Sequence, residues 1–313
     1  MNMQTSADLS LLGAAEAASA LAEGRISSEE LVAACLTRIK ADEERVQAWA
    51  FIDPEHALRQ ARSADSRRRE GKALGPLHGL PVGVKDIIDT ADMPTENGTV
   101  LHARRTPFAD ATLVSMLRAA GAIIMGKTVT TELATYSPGK TTNPHNPAHT
   151  PGGSSSGSAA AVAAHMVPLA IGTQTNGSVI RPAAYCGVVG YKPSFGLIPR
   201  HGVLKQSRPL DQIGVIARSV EDAALLAEQL IGFDQNDPDT RALARPLLRE
   251  TAMQEAPVPP TFAFVRTPMW KLADAQCQAA FAGLAARLPR GCAPQRELPR
   301  LSADVLFRRA RRP

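Results

Sequence analysis

The chain has 313 residues, of which 44% are hydrophobic, and this is enough for one large α/β domain or two smaller ones, with a substantial buried core. The formal net charge of +5 comes mainly from residues 287–313, where eight arginines face only Glu297 and Asp304, so we expect a solvated basic tail and no nucleic-acid partner. No basic leader is present, which argues against export, and no apolar stretch is long enough to cross a bilayer, which argues against a membrane span. The sequence has no CxxC pair, so neither a zinc site nor a disulfide is expected. These features together favour the cytoplasm.

The first predicted elements are two helices followed by a strand. Ser27 with Glu30 forms a capping-box pattern, which indicates the start of an amphipathic helix. Residues 59–71 form a second, highly charged helical stretch that ends at a glycine. Residues 79–84 then change to a short apolar strand, and this strand ends at Lys85 and Asp86.

Helices and strands alternate further along the chain. Residues 111–120 and 158–165 are helix-prone, residues 122–125 and 169–171 are short apolar strands, and a second capping pattern starts a helix over residues 219–230. This alternation predicts an α/β fold, a single domain with a mixed β-sheet flanked by helices.

Three short motifs invite interpretations that their surroundings contradict. Residues 121–128 fit the phosphate-binding expression of P-loop ATPases, but the interval between the glycines is the predicted strand itself. Residues 153–157 fit a nucleophile elbow, yet a proline-rich loop precedes them instead of a strand. His145 and His149 have the spacing of a helical metal pair, but nearby prolines exclude the helix, so we expect no metal site.

Two polar, serine-bearing loops, around Ser154 and Ser178, and the strand-end Lys85 remain. Ordinary turn chemistry explains either loop alone, but the surrounding segments resemble the amidase signature family in sequence and in order. The resemblance extends from about residue 31 to about residue 287 and rests on six blocks: Gly79–Asp86, Gly121–Thr128, Pro151–Ala161, Gly172–Ser178, Cys186–Pro193 and Ala217–Asp222.

The resemblance implies an amidase with a Ser-Ser-Lys catalytic triad. Ser178 would be the nucleophile that carries the acyl group, Ser154, after a cis peptide bond, would relay its proton, and Lys85 would be the base. Lys85 can act as a base only if burial lowers its pKa enough to leave a neutral amine. The substrate would be a small-molecule amide, and neither a metal nor an organic cofactor is expected.

Two further sets of residues are expected to support this triad. The backbone N–H groups of the second serine loop would form the oxyanion hole, and the first serine loop would be held in shape by its own residues. The oxyanion-hole residues are Thr175, Asn176, Gly177 and Ser178, and the supporting residues of the first loop are Gly153 and Ser155.

Four positions depart from the usual family pattern. Asn176 replaces a glycine, and we expect it to be accepted because asparagine tolerates left-handed backbone. Gln174 stands where aspartate is usual, and Ser156 stands where glycine is usual. Arg181 lies one residue later than the family arginine, so its usual contacts cannot be transferred.

Family members usually continue well beyond this chain, so we expect that the C-terminal part of the fold is missing. The predicted organisation is a helical segment at 1–60 that packs on the core, the amidase signature core at 61–240, the start of the C-terminal part at 241–300, and an atypical arginine-rich tail at 301–313. The alternative to an enzyme is a truncated, inactive or non-catalytic fragment. An uncovered sheet would also favour a homo-oligomer.

Overall fold

The computed structural model describes residues 8–260, 262 and 264–288. The chain divides into two compact units, Met1–Met253 and Gln254–Pro313. The predicted tail at 301–313 and the end of the predicted segment 241–300 lie outside the described residues, and the domain boundaries stay predictions.

The larger unit contains six strands and eight α-helices among its described residues. The strands are β1 (Trp49–Ile52), β2 (Pro81–Lys85), β3 (Ile123–Thr128), β4 (Leu169–Gln174), β5 (Val189–Tyr191) and β6 (Gln212–Ala217). The helices are α1 (Ala14–Ala22), α2 (Ser28–Val46), α3 (Pro54–Arg69), α4 (Thr112–Ala119), α5 (Ser156–Ala163), α6 (Ile180–Tyr185), α7 (Val220–Leu230) and α8 (Leu248–Met253).

The smaller unit contains the helix α9 (Ala275–Arg287). Trp270 makes edge-to-face ring contacts with Phe264 and Phe281. No described helix of either unit is both long enough and apolar enough to span a membrane.

The six strands form one mixed sheet in the order β1-β3-β2-β4-β6-β5. The three central strands β3, β2 and β4 are parallel, whereas β1, β6 and β5 pair antiparallel with their neighbours. Every residue of β2 and β3 is buried, because helices cover both faces of a parallel sheet. The carboxyl ends of β2 and β4 therefore lie side by side, and both end in polar residues.

The observed elements confirm the predicted α/β class, and several boundaries differ from the sequence analysis. The capping box of Ser27 and Glu30 is present, and α2 begins directly after it. The charged helix begins at Pro54, five residues before the predicted start, because Asp53 caps it and proline suits the first turn. The strand β1 lies inside the segment 1–60, for which only helices were expected.

Candidate active site

Lys85 is the last residue of β2, and its side chain is completely buried. The Nζ atom lies 2.8 Å from Ser154 Oγ and 2.8 Å from Thr173 Oγ1. Burial lowers the pKa of Lys85 well below its usual value, because a charged amine loses its hydration, and the negative charge of Asp211 opposes this only partly. The strand thus delivers an amine that can be neutral and that contacts one of the two predicted serines.

Ser154 lies in the loop that leads into α5, and only 2% of it is exposed. The peptide bond between Gly153 and Ser154 is cis. A Cβ atom at position 153 would lie 2.8 Å from Thr131 Cγ2, so glycine is the residue that fits there. The carbonyl oxygen of Ser154 accepts a hydrogen bond of 3.0 Å from the backbone N–H of Thr131, and this bond attaches the loop to the segment that follows β3.

Ser178 lies between β4 and α6 and is 7% exposed. Within the part of the chain that the structure describes, the backbone N–H groups of Asn176, Gly177 and Ser178 have no hydrogen-bond acceptor. Since unpaired N–H groups beside a nucleophile are what a developing oxyanion requires, this loop has donors to offer. The arrangement is compatible with the oxyanion hole expected from the sequence.

The two serine loops contact each other directly. The backbone N–H of Ser155 donates to the carbonyl oxygen of Ser178 over 3.3 Å. The hydroxyl of Ser155 lies 3.2 Å from the backbone nitrogen of Thr173 and 3.3 Å from its carbonyl oxygen. The structure therefore brings the predicted residues of both loops, and Lys85, to one end of the central strands.

The departures from the family pattern have local explanations in the structure. The side-chain oxygen of Gln174 accepts hydrogen bonds from the backbone N–H groups of Val179 and Ile180, at 2.9 Å and 3.1 Å, and so caps the start of α6. Ser156 is buried in the first turn of α5, and its hydroxyl donates to the carbonyl oxygen of Val129. Gln174 thus takes the place of a backbone acceptor, whereas the Ser156 hydroxyl adds to the bond of 2.9 Å that the backbone N–H of Gly157 donates to the same carbonyl oxygen.

Asn176 corrects one detail of the sequence analysis, and Arg181 has a contact for which the sequence analysis made no prediction. The φ angle of Asn176 is not in the left-handed region, so its tolerance for that conformation is not what admits it. Its side chain instead donates to the hydroxyl of Tyr136 over 3.3 Å. Arg181 Nε donates to the carbonyl oxygen of Gly153 over 3.1 Å, so the displaced arginine contacts the cis peptide.

Sequence reasoning missed three residues that hold this site. Thr173 provides the second hydroxyl beside Lys85, while Asp211 and Gln206 contact the hydroxyl of Thr175 at 2.6 Å and 2.9 Å. Thr173 could have been suspected from its place on a strand beside the serine loop. The two loop residues carry no such signal, because their partner lies more than thirty positions away in the chain.

A cavity of about 180 Å³ opens beside the same strand end. Thr173 and Thr175 line it together with Asp211 and a partly buried arginine, Arg200. Arg200 is not free to bind an anion, because Asp237 and Asp239 hold its guanidinium group. Among the described residues there is no group of histidine, cysteine or acidic side chains that could hold a metal ion.

Residues 30–293 match the model of the family described as Amidase. The chain belongs to the amidase signature family. It is 43% identical, over 245 residues, to a glutamyl-tRNA(Gln) amidotransferase subunit from Chloroflexus aggregans, and the match covers 76% of this chain and 50% of that protein.

Solved structures of other family members are similar in fold. Peptide amidase from Stenotrophomonas maltophilia has a TM-score of 0.71 and 38% identity, over 76% of this chain and 51% of that one. Fatty acid amide hydrolase has a TM-score of 0.66 and 29% identity, over 70% of this chain and 41% of that one. The chain thus spans about half the length of the curated relatives it matches.

Proposed function

We propose that the chain hydrolyses a carboxamide through an acyl-enzyme on Ser178, with Ser154 as proton relay and Lys85 as base. The observation that carries this proposal is the contact of 2.8 Å between the buried Lys85 amine and the Ser154 hydroxyl. A lysine whose burial favours the neutral form has a lone pair, and in that state the Ser154 hydroxyl can donate to it. A charged lysine would serve neither as acceptor nor as base.

The proposed reaction combines proton transfers along the relay with bond changes at the carbonyl carbon. As Ser178 Oγ attacks the amide carbonyl carbon, its proton passes to Ser154, and the proton of Ser154 passes to Lys85. The negative oxygen that forms is stabilised by N–H groups of residues 175–178. When the C–N bond breaks, the same relay returns a proton to the leaving nitrogen, ammonia or an amine departs, and water then hydrolyses the acyl ester.

The names of the relatives favour a carboxamide as substrate and leave its remaining part open. One relative is part of an amidotransferase and another is a peptide amidase, so a glutaminase half-reaction and the hydrolysis of a small or peptidic amide are the candidate reactions for this chain. A panel of such amides, assayed for released ammonia, would identify the class. We place the reaction in the cytoplasm, and assembly with a different protein chain or with a second copy is part of the proposal.

The proposal is tested by labelling the 313-residue chain with a fluorophosphonate probe and measuring its intact mass. We expect one equivalent of label on Ser178, loss of labelling in Ser178→Ala, and labelling slowed by about 100-fold in Ser154→Ala. The rival is a fragment that folds without catalysing, which the coverage of only half the relatives' length favours. A folded chain that takes up no label would support that rival and overturn the proposal.

A further inference from the structure

Asp211 lies directly before β6 and contacts the loop that bears Ser178. Gln212, its neighbour, pairs with Gln174 at the end of β4, so Asp211 lies beside the point where the chain leaves the sheet for that loop. Asp211 Oδ1 lies 2.6 Å from the hydroxyl of Thr175. A hydrogen bond to a carboxylate is stronger than one between neutral groups, so this contact is a firm attachment for the loop.

The second oxygen of the Asp211 carboxylate also accepts hydrogen bonds. Oδ2 accepts hydrogen bonds of 2.7 Å from the backbone N–H groups of Gln206 and Ser207. These bonds close a turn that brings the Gln206 side chain beside Thr175, with 2.9 Å between its Oε1 atom and the Thr175 hydroxyl. Asp211 thus organises a second residue that contacts the same loop.

Gln206 extends this attachment to the loop of Ser154. Its Nε2 atom donates to the carbonyl oxygen of Leu133 over 2.8 Å. Leu133 lies in the short turn that begins at Thr131, whose N–H donates to the carbonyl oxygen of Ser154. Hydrogen bonds, together with the short turn at residues 131–133, therefore connect Asp211 to both serine loops.

Asp211 lines the same cavity as Thr173, whose hydroxyl lies 2.8 Å from Lys85 Nζ, so its charge lies close to the buried amine. Its carboxylate raises the pKa of the buried lysine, against the larger lowering by desolvation. Asp86, which directly follows β2, and Lys127, which lies opposite Val84 on β3, act on each other. The strand β4 and the Ser154 loop contribute hydroxyl groups to Lys85. A base that is buried without any acidic neighbour would be a weak one, since its protonated form would be too costly to reach.

We propose that Asp211 is a positioning residue of the amidase reaction, which fixes the Ser178 loop through Thr175 and stabilises the ammonium that Lys85 becomes when it accepts a proton. This inference rests on the proposed function. Ser178 must remain at a fixed distance from the relay while its proton moves, and the charge that develops on Lys85 needs a fixed counter-charge. The carboxylate of Asp211 provides both the attachment of the Ser178 loop and the counter-charge for Lys85.

The test compares Asp211→Asn with two other variants of the full chain. Thr175→Val removes the hydroxyl that Asp211 holds and keeps the charge. Asp239→Asn removes a carboxylate that lines the same cavity but is paired with Arg200 and Arg208. Two quantities are measured as a function of pH, namely the rate of fluorophosphonate labelling at Ser178 and the titration of Lys85 by the NMR shift of 13Cε-labelled lysine, assigned with Lys85→Met.

We expect Asp211→Asn to move the Lys85 titration to lower pH, because the opposing negative charge is gone, and to move the acid limb of the labelling rate with it. Thr175→Val should slow labelling on the order of tenfold at every pH without moving the titration. Asp239→Asn should leave the titration unchanged.

The outcomes separate this inference from the proposed function. If wild-type Ser178 is labelled and the Lys85 titration is the same in Asp211→Asn, the inference is overturned and the proposed function stands. A Thr175→Val chain that is labelled as fast as wild type would also overturn the inference. If Asp211→Asn does not fold, the labelling rate of Thr175→Val decides between the two outcomes. If Ser178 of the folded wild-type chain is not labelled at any pH, both proposals fail.

Discussion

Two buried lysines at the ends of neighbouring parallel strands differ in what surrounds them. Lys85 ends β2, and Lys127 lies on β3 opposite Val84; both are 0% exposed. Lys85 has two hydroxyl groups within hydrogen-bond distance. Lys127 donates to the carbonyl oxygen of Ile88 and to the hydroxyl of Thr95, and a second threonine hydroxyl lies 3.4 Å away.

The comparison shows that burial alone does not make a lysine a base. An ammonium group has three N–H donors, and the surroundings of Lys127 offer three acceptors and the nearby charge of Asp86. Burial lowers the pKa of Lys127 only to about 8, with Asp86 opposing it. Lys85 has only two hydroxyl groups within hydrogen-bond distance, and burial lowers its pKa well below the usual value despite the charge of Asp211, so its environment favours the neutral amine. We infer a structural role for Lys127 and a chemical role for Lys85.

The largest expected effect is the loss of reactivity in Lys85→Met. Methionine fills a similar volume and has no lone pair to accept the Ser154 proton, so we expect the rate of Ser178 labelling to fall by about 1000-fold. The chain should still unfold cooperatively, because removing an amine from a buried position also removes its desolvation cost. Labelling rate and urea unfolding are measured on the same preparation.

The matched variant is Lys127→Met, which should keep the labelling of Ser178 and lose stability to urea. Labelling of Ser178 that falls as far in Lys127→Met as in Lys85→Met, with both chains folded, would contradict the division of roles between the two lysines.

The second effect is on stability and depends on pH. We expect Lys127→Met to lower the free energy of unfolding by about 2 kcal/mol at pH 7, because Ile88 and Thr95 lose their hydrogen-bond partner. In the wild type, the folded-state pKa of about 8 lies below the usual value of 10.5. Between these two values the unfolded chain binds more protons, so wild-type stability rises with pH through Lys127, by up to about 3 kcal/mol.

Lys127→Met lacks this gain, so the difference between the two chains should widen between pH 8 and 10.5. Urea unfolding at several pH values measures it. A difference that stays constant over this range would show that Lys127 titrates in the folded chain as it does in the unfolded one.

The two lysines also show how far the sequence could be interpreted. The strands that end at Lys85 and Lys127 were predicted because short apolar runs with flanking glycines are local signals. The capping pattern at Ser27 likewise fixed the start of α2, because cap and helix are adjacent in the chain. The serine loops could be placed because their motifs are contiguous.

The contacts that distinguish one lysine from the other could not be predicted. Thr95 precedes Lys127 by 32 positions, and Ser154 follows Lys85 by 69, so these pairs depend on how the strands are arranged. The strands β1 and β5 were missed because their four and three residues are too few to show a period. The strand β6 is an apolar run as long as β4 and carries the same local signal, so it could have been predicted.

The smallest expected effect concerns a single acceptor of Lys127. Thr95→Val removes the hydroxyl that lies 2.6 Å from Lys127 Nζ and should lower the free energy of unfolding by about 1 kcal/mol at pH 7, with Ser178 labelling unchanged within about twofold.

The Lys127→Met background decides whether this cost belongs to the contact. If Thr95 acts by accepting from the ammonium, Thr95→Val should cost almost nothing once the ammonium is absent, and the coupling between the two positions equals the single-variant loss. If Thr95→Val costs the same in both backgrounds, its effect comes from packing or from its second contact, with the carbonyl oxygen of Ile88 at 3.4 Å. Lys127 would then be held by fewer acceptors than the structure indicates, and its surroundings would differ less from those of Lys85.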